Sequence, residues 1–126
     1  MIVGLGTDLV ENDRIAEMYA EYGQRFLSRI FTDEEIEYAV SHADPVPYLA
    51  ARFAVKEALI KALNLRETVG LKMKDVEVAG KIFGKKSLRL HGKVRELAEA
   101  MGANNYHISL SHSRNSSMAV VILEKI

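Results

Sequence analysis

Two patterns of hydrophobic positions alternate along this chain. Short segments rich in β-branched and other apolar residues predict strands, and apolar residues spaced three or four apart predict helices. The predicted strands are residues 2–10, 74–79, 87–90, 107–111 and 118–123. The predicted helices are residues 12–22, 48–64 and 92–101, with one or two turns over 24–31 and a capping box that starts a helix at Thr32. This mixture predicts the α+β class.

Two of these elements are apolar on nearly all sides and should therefore be buried. Residues 118–123 predict a central strand, or one that another subunit covers. The helix over 48–64 is apolar nearly all round, which is typical of a buried helix. It nevertheless carries the charged residues Arg52, Lys56, Glu57 and Lys61. Unpaired buried charges are costly, so these side chains need partners. A simple ion pair between Glu57 and Lys61, one helical turn apart, is one solution.

Asp8 lies in the first strand with two glycines on the same face. In a strand, side chains two residues apart share a face, so Gly4 and Gly6 flank Asp8 on one side of the sheet. Glycines inside a strand indicate the close approach of a ligand or of another backbone. Asp8 could also cap the helix that follows, although the apolar helical pattern begins nearer Ile15.

The composition limits the chemistry that is open to the chain. Its 126 residues, 48% hydrophobic and 27% charged, fit one globular domain over 1–126. The absence of cysteine excludes disulfides and thiolate metal sites. No two of the four histidines have the spacing of zinc ligands on a helix. Two carboxylates, Asp8 and Glu57, with cations nearby instead fit Mg²⁺ held between the protein and the phosphates of a substrate.

Charge is distributed unevenly although the net charge is zero. Residues 1–50 carry three Lys and Arg against ten Asp and Glu, whereas residues 51–126 carry fourteen against seven. Such asymmetry can mark an anion-binding half, or the two halves can fold together and average out. The amino-terminal residues lack the pattern of a signal peptide, and no apolar run approaches the ~20 residues that span a bilayer. We therefore expect a cytoplasmic protein with no membrane partner.

Three sequence motifs follow one another along the chain. They are GLGTDLVE over residues 4–11 followed by Arg14-Ile15, RFAVKEA over 52–58 followed by Lys61-Ala62, and HISLSHS over 107–113. Together they resemble the holo-acyl-carrier-protein synthase family of 4′-phosphopantetheinyl transferases, and the similarity extends nearly end to end. The resemblance implies the fold of that family, a small antiparallel sheet packed against a long buried helix, and a homotrimer with active sites at subunit interfaces.

The resemblance also implies a reaction. Members transfer the 4′-phosphopantetheine group of coenzyme A to a serine of apo-acyl carrier protein, which gives holo-acyl carrier protein and adenosine 3′,5′-bisphosphate. Asp8 and Glu57 match the residues that bind the Mg²⁺ cofactor, and Lys61 completes the expected catalytic set. The proton of the serine would pass to Glu57 or to a metal-bound water that Glu57 orients.

Two further sets of residues follow from the resemblance. Coenzyme A would be bound by Arg52, Lys61 and His112. The acidic carrier protein would dock on Arg14, Arg25 and Phe26. For His112 the alternative is a packed core histidine, because it would share a strand face with Ile108 and Leu110.

The sequence departs from the family pattern at two loops. Residues 64–70 replace a Gly-Thr-Gly-like loop, and Gly84-Lys85-Lys86 replaces a Gly-Lys-Pro turn. The first departure leaves the contacts of that loop with coenzyme A undefined. Glu17 and Glu21 on the first helix would repel an acidic partner.

Two other functions are compatible with parts of the sequence. A nucleic-acid-binding module could use the basic stretch Lys72 to Arg95, but aromatic residues are few at 7% and no known motif is present. An inactive relative could bind coenzyme A without transfer, but the retention of both Asp8 and Glu57 counts against it. The sequence does not distinguish a carrier of fatty-acid synthesis from one of polyketide synthesis.

Overall fold

The computed structural model describes residues 1–67, 70–80 and 85–126. The elements in chain order are β1 (Ile2–Glu11), α1 (Asn12–Tyr22), α2 (Gln24–Ile30), α3 (Asp33–Val40), α4 (Val46–Ala62), β2 (Val76–Ala79), β3 (Ser87–Leu90), α5 (Gly92–Ala100), β4 (Asn105–His112) and β5 (Ser116–Glu124). The α+β class is confirmed. The strand predicted from residue 74 begins later, because Met73–Asp75 form a 3₁₀ turn first. The predicted turn over 84–86 lies partly outside the described residues.

The main sheet has three antiparallel strands in the order β1-β5-β4, with β2 and β3 as a separate pair. The prediction that the last strand is central is therefore confirmed. One face of β5 is buried, including Ala119, Val121 and Leu123. On the opposite face Met118 is 44% exposed, and Leu5 and Leu9 of β1 are 59% and 66% exposed. This outer face of the sheet is apolar and open to solvent in the single chain.

Helix α4 packs directly on β1 through the two glycines. A Cβ atom added at Gly6 would overlap the carbonyl oxygen of Ala58, and one added at Gly4 would overlap that of Ala62. Of the two explanations that the sequence left open, the close approach of another backbone is the one the structure contains. Eleven of the 17 residues of α4 are buried. The glycines therefore fix the position of α4 relative to β1.

We expect Gly6→Ala to lower the free energy of unfolding by about 2–3 kcal/mol, the upper range for overpacking, because a backbone carbonyl cannot move aside as a side chain can. Chemical denaturation measures this change. Ser87→Ala, at an exposed position of strand β3, is the control and should change stability by less than about 0.5 kcal/mol. Equal stabilities of the two variants would show that β1 and α4 separate easily.

The buried charge of Lys56 on α4 is neutralised by Glu35 of α3. Lys56 Nζ lies 2.8 Å from Oε1 of Glu35, and both side chains are fully buried. Lys56 also donates to the carbonyl oxygens of Met73 and Val76. Glu35 accepts the amide of Thr32 at 2.9 Å through Oε1 and that of Val78 at 3.0 Å through Oε2. The first of these bonds completes the capping box, as predicted. The pair thus joins α3, α4 and β2 with its hydrogen bonds satisfied.

The helices of the described residues do not combine enough length with enough hydrophobicity to cross a membrane. The longest is α4, at 17 residues, and its apolar surface is used by the core. The core of the described chain is one connected cluster in which α4 contacts both the main sheet and β2. Side chains at the two ends of α4 are thereby held in fixed places.

Candidate functional site

Asp8 is held next to α4 by the glycine contact that precedes it in β1. Its Oδ1 accepts a hydrogen bond from Lys61 Nζ at 2.8 Å, and the same ammonium donates to the carbonyl oxygen of Thr7 at 3.1 Å. The Asp8 side chain is 15% exposed and that of Lys61 57%. Asp8 does not cap α1, because the N-cap residue is Glu11. Its carboxylate is therefore paired with Lys61 and is not used to cap a helix.

Glu57 lies beside this pair and is half-buried. Burial raises the pKa of Glu57 above its ordinary value, and the negative charge of Asp8 raises it further. Arg14 and Lys61 act in the opposite direction. The ion pair of Lys61 is made with Asp8, so the simple Glu57–Lys61 pair considered above is not the arrangement in the structure. The two carboxylates are thus close enough to repel each other, which a cation between them would relieve.

The chemistry of this donor set fits a hard divalent ion. Across the described residues, no three His, Cys, Asp or Glu side chains gather as candidate metal ligands. Asp8 and Glu57 would thus supply two carboxylates, with water or substrate oxygens as the other ligands. Mg²⁺ is commonly bound in this way, through one or two carboxylates and the phosphates of a substrate.

Glu57 also lines a groove of about 960 Å³ between α1, α2 and α4. The floor is mainly apolar and includes Phe53 and Phe26, and Phe26 is only 6% exposed and packs edge to face on Phe31. The guanidinium of Arg14 lies 5.6 Å from the centre of the Phe53 ring. The basic residues that line the groove are Arg14, Arg25 and Arg29. The structure therefore places the three predicted docking residues around one groove that Glu57 also lines.

A second cavity, of about 400 Å³, contains Arg52 and His112. Lys85 and Lys86 also line it, and none of its lining residues is acidic in the described part of the chain. The cavity is therefore basic, as expected of a site for anions. It combines residues of α3, α4, β4 and the segment before β3.

Arg52 and Lys61 are not brought together within one chain. They are nine residues apart on α4, which places them on opposite sides of the helix and about 13 Å apart along its axis. Lys61 belongs to the Asp8 cluster, whereas Arg52 belongs to the basic cavity. The predicted coenzyme A residues therefore form two separate groups in the single chain.

His112 is not a core histidine. It is exposed at the end of the edge strand β4, with its ring 5.6 Å from that of Tyr48. Ile108 and Leu110, which share its strand face, are only partly buried. The alternative of a packed core residue was wrong because an edge strand is covered only on part of its inner face.

Sequence reasoning missed Tyr38, which touches two of the three Lys and Arg residues that line the basic cavity. The carbon atom at the centre of the Arg52 guanidinium lies 4.0 Å from the centre of the Tyr38 ring, and Lys86 Nζ lies 4.6 Å from it. Arg29 was missed as well, although its spacing of four residues from Arg25 on a short helix was a usable signal.

Comparison with known proteins places this architecture in a family. The model of the 4′-phosphopantetheinyl transferase superfamily matches residues 4–112. A holo-[acyl-carrier-protein] synthase of Leptospira biflexa is 48% identical over 124 residues, which cover 98% of each chain. The crystal structure of the Neisseria meningitidis synthase has 32% identity and a TM-score of 0.86, covering 99% of this chain and 100% of that one.

A third relative was crystallised with a ligand. The holo-(acyl-carrier-protein) synthase of Bacillus anthracis, described as a complex with CoA (3′,5′-ADP), is 31% identical with a TM-score of 0.80. The match covers 100% of this chain and 99% of that one. Fold, motifs and near-complete coverage therefore agree, and the chain belongs to the 4′-phosphopantetheinyl transferase superfamily.

Proposed function

We propose that this chain is a Mg²⁺-dependent holo-acyl-carrier-protein synthase. It transfers 4′-phosphopantetheine from coenzyme A to a serine of apo-acyl carrier protein and releases adenosine 3′,5′-bisphosphate. The observation that carries the proposal is the position of Glu57, which belongs both to a pair of carboxylates with Asp8 and to a groove suited to a protein partner. Transfer between a nucleotide substrate and a carrier protein requires both features at one point.

Asp8 and Glu57 would hold the ion on the pyrophosphate of coenzyme A. Bound Mg²⁺ would stabilise negative charge on the phosphoryl oxygens and on the departing nucleotide. Lys61 would then exchange its bond with Asp8 for one with a phosphate oxygen, since the ion would neutralise Asp8. Glu57 would orient the serine hydroxyl and accept its proton, directly or through a water, as it attacks the phosphorus.

Coenzyme A would bridge the two groups of basic residues across a subunit interface. The basic cavity with Arg52 and His112 lies apart from Lys61 in one chain, so a neighbouring copy would bring the two together. The outer face of the main sheet, with Leu5 and Leu9 exposed, provides an apolar surface for such association. A homotrimer would use this face in each subunit and create three equivalent sites.

The acidic carrier protein would dock in the groove between α1, α2 and α4. Its helix would lay an apolar face on Phe26 and Phe53, while its acidic residues would meet Arg14 and Arg25 at the rim. This arrangement would present the carrier serine to Glu57, which also lines the groove. Glu17 and Glu21 of α1 do not line the groove, which reduces the repulsion that the sequence suggested.

We expect Arg14→Glu to raise the KM for the carrier protein about tenfold, because it places like charges opposite each other at the rim. The KM for coenzyme A should change by less than about twofold. Steady-state kinetics with each substrate varied in turn measures both values. Arg95→Glu on α5, which lines neither cavity, is the matched control. Equal increases in both KM values would contradict the docking assignment.

The direct test is to incubate the protein with apo-acyl carrier protein, coenzyme A and Mg²⁺ and to weigh the carrier by mass spectrometry. The expected result is a gain equal to one phosphopantetheine group, which is lost when the carrier serine is replaced or a chelator is added. A carrier of unchanged mass under conditions in which a known synthase modifies it would refute the proposed function. Persistence of the gain with chelator would refute the Mg²⁺ requirement alone.

A further inference from the structure

Tyr38 is the centre of a group of rings and cations at the basic cavity. Its ring contacts His42 at 4.9 Å and Tyr48 at 5.8 Å, and His42 stacks on Tyr48 at 3.6 Å. Arg52 lies over the same ring, and Lys86 Nζ donates to the Tyr38 hydroxyl at 3.3 Å. One side chain therefore contacts two cations of the cavity that come from different parts of the chain.

Arg52 is buried without a carboxylate partner. It is 2% exposed, and none of the ion pairs among the described residues includes it. The nearest acidic influence is Glu35, whose oxygens are occupied by Lys56 and by backbone amides. Among the described residues, the Nε atom of Arg52 has no hydrogen-bond partner, and Nη1 makes only one long contact, 3.5 Å, with the carbonyl oxygen of Tyr48. A buried donor without a partner calls for an explanation, and a role in anion binding is one.

The face of an aromatic ring can stabilise a guanidinium without using its donors. The N–H groups of arginine lie in the plane of the guanidinium, whereas the ring attracts the cation from above or below that plane. A carboxylate partner would instead occupy the same N–H groups that a phosphate needs. The ring of Tyr38 thus offsets part of the cost of burying Arg52 while its Nε donor is left available.

We propose that Tyr38 is a positioning residue that holds Arg52 and Lys86 ready for the phosphates of coenzyme A. This inference rests on the proposed function, because it concerns the same substrate. Tyr38 acts through its ring on Arg52 and through its hydroxyl on Lys86. It sets the affinity for the nucleotide end of the substrate and has no part in the chemical step.

The test measures the dissociation constants of coenzyme A and of adenosine 3′,5′-bisphosphate by calorimetry with Mg²⁺ present. Tyr38→Leu removes both interactions and should weaken binding of each ligand about tenfold or more. Tyr38→Phe keeps the ring and loses the hydroxyl with its bond to Lys86, so the loss should stay within about threefold. Tyr106→Leu removes a partly buried ring that lines neither cavity, and it should leave both constants unchanged.

A second pair of variants separates positioning from general stability. In an Arg52→Met background, Tyr38→Leu should cost clearly less than in the wild type, because the main group that it positions is gone and only its contacts with Lys86 remain. An equal loss in both backgrounds, or unchanged affinity in Tyr38→Leu, would overturn the proposal. A wild-type protein that binds neither ligand would instead overturn the proposed function, and that outcome is visible before any variant is made.

Discussion

Replacing Glu57 with alanine should lower the rate of phosphopantetheine transfer by about 10³-fold or more, because the stabilisation of transition-state charge by a bound ion amounts to several kcal/mol. The expected loss is in kcat at saturating coenzyme A and carrier protein. It should persist when Mg²⁺ is raised well above the concentration that saturates the wild type. A mass-based assay of the carrier, run as a time course, measures the rate.

The control is the thermal unfolding of Glu57→Gln in the absence of metal, because this variant removes the same carboxylate. Burial and the charge of Asp8 raise the pKa of Glu57 in the folded protein, so its ionised form is less favourable there than in the unfolded chain. This cost is absent below the ordinary carboxyl pKa of 4.5, grows as the pH rises from there, and is complete above the folded pKa. Glu57→Gln should therefore unfold at a slightly higher temperature than the wild type at neutral pH and at the same temperature in acid. Addition of Mg²⁺ should stabilise the wild type more than Glu57→Gln.

An unchanged transfer rate in Glu57→Ala would end the assignment of the metal site.

Replacing Glu35 with alanine should lower the free energy of unfolding by about 3–5 kcal/mol, because Lys56 would be left as an unpaired buried charge. The change also removes the acceptors for the amides of Thr32 and Val78. Equilibrium denaturation by urea measures the effect, with circular dichroism as the signal. If Glu35→Ala is already unfolded in the absence of urea, that result also agrees with the expected loss of stability.

Two comparisons make this result specific to the buried pair. The double variant Glu35→Gln/Lys56→Met has no unpaired charge and keeps one side-chain acceptor, so it should recover much of the loss. Glu99→Ala breaks the exposed Arg95–Glu99 pair on α5 and should cost less than about 0.5 kcal/mol. A loss in Glu35→Ala as small as that in Glu99→Ala would mean that Lys56 finds water or another partner.

The periodic patterns of the sequence predicted most of the fold because they depend on local properties. The capping box at Thr32 and the central position of β5 follow from residue types and their spacing alone. The need of α4 for charge partners was predictable in the same way. The identity of the partner was not, because Glu35 lies on another helix and reaches Lys56 only after α3 has packed on α4.

The candidate site was predictable as a set of residues but not as an arrangement. The motifs singled out Asp8, Glu57 and Lys61, and the structure places these three side by side. The spacing of nine residues already places Arg52 and Lys61 on opposite sides of one helix. The motifs did not reveal the cavity of Arg52, since this depends on which residues of α3 and β4 pack beside it. Tyr38 lies outside all three motifs, and its relation to Arg52 arises from the packing of α3 beside α4.

The direct backbone contact of β1 with α4 has a consequence for attempts to change the metal preference of the proposed site at Asp8 and Glu57. No layer of side chains separates Gly6 from Ala58, so the spacing between strand and helix is set by the thickness of two polypeptide backbones. Repacking the core cannot widen or narrow that gap by small steps. A different ionic radius would have to be accommodated through the lengths of the acidic side chains themselves, by exchanging aspartate and glutamate at positions 8 and 57.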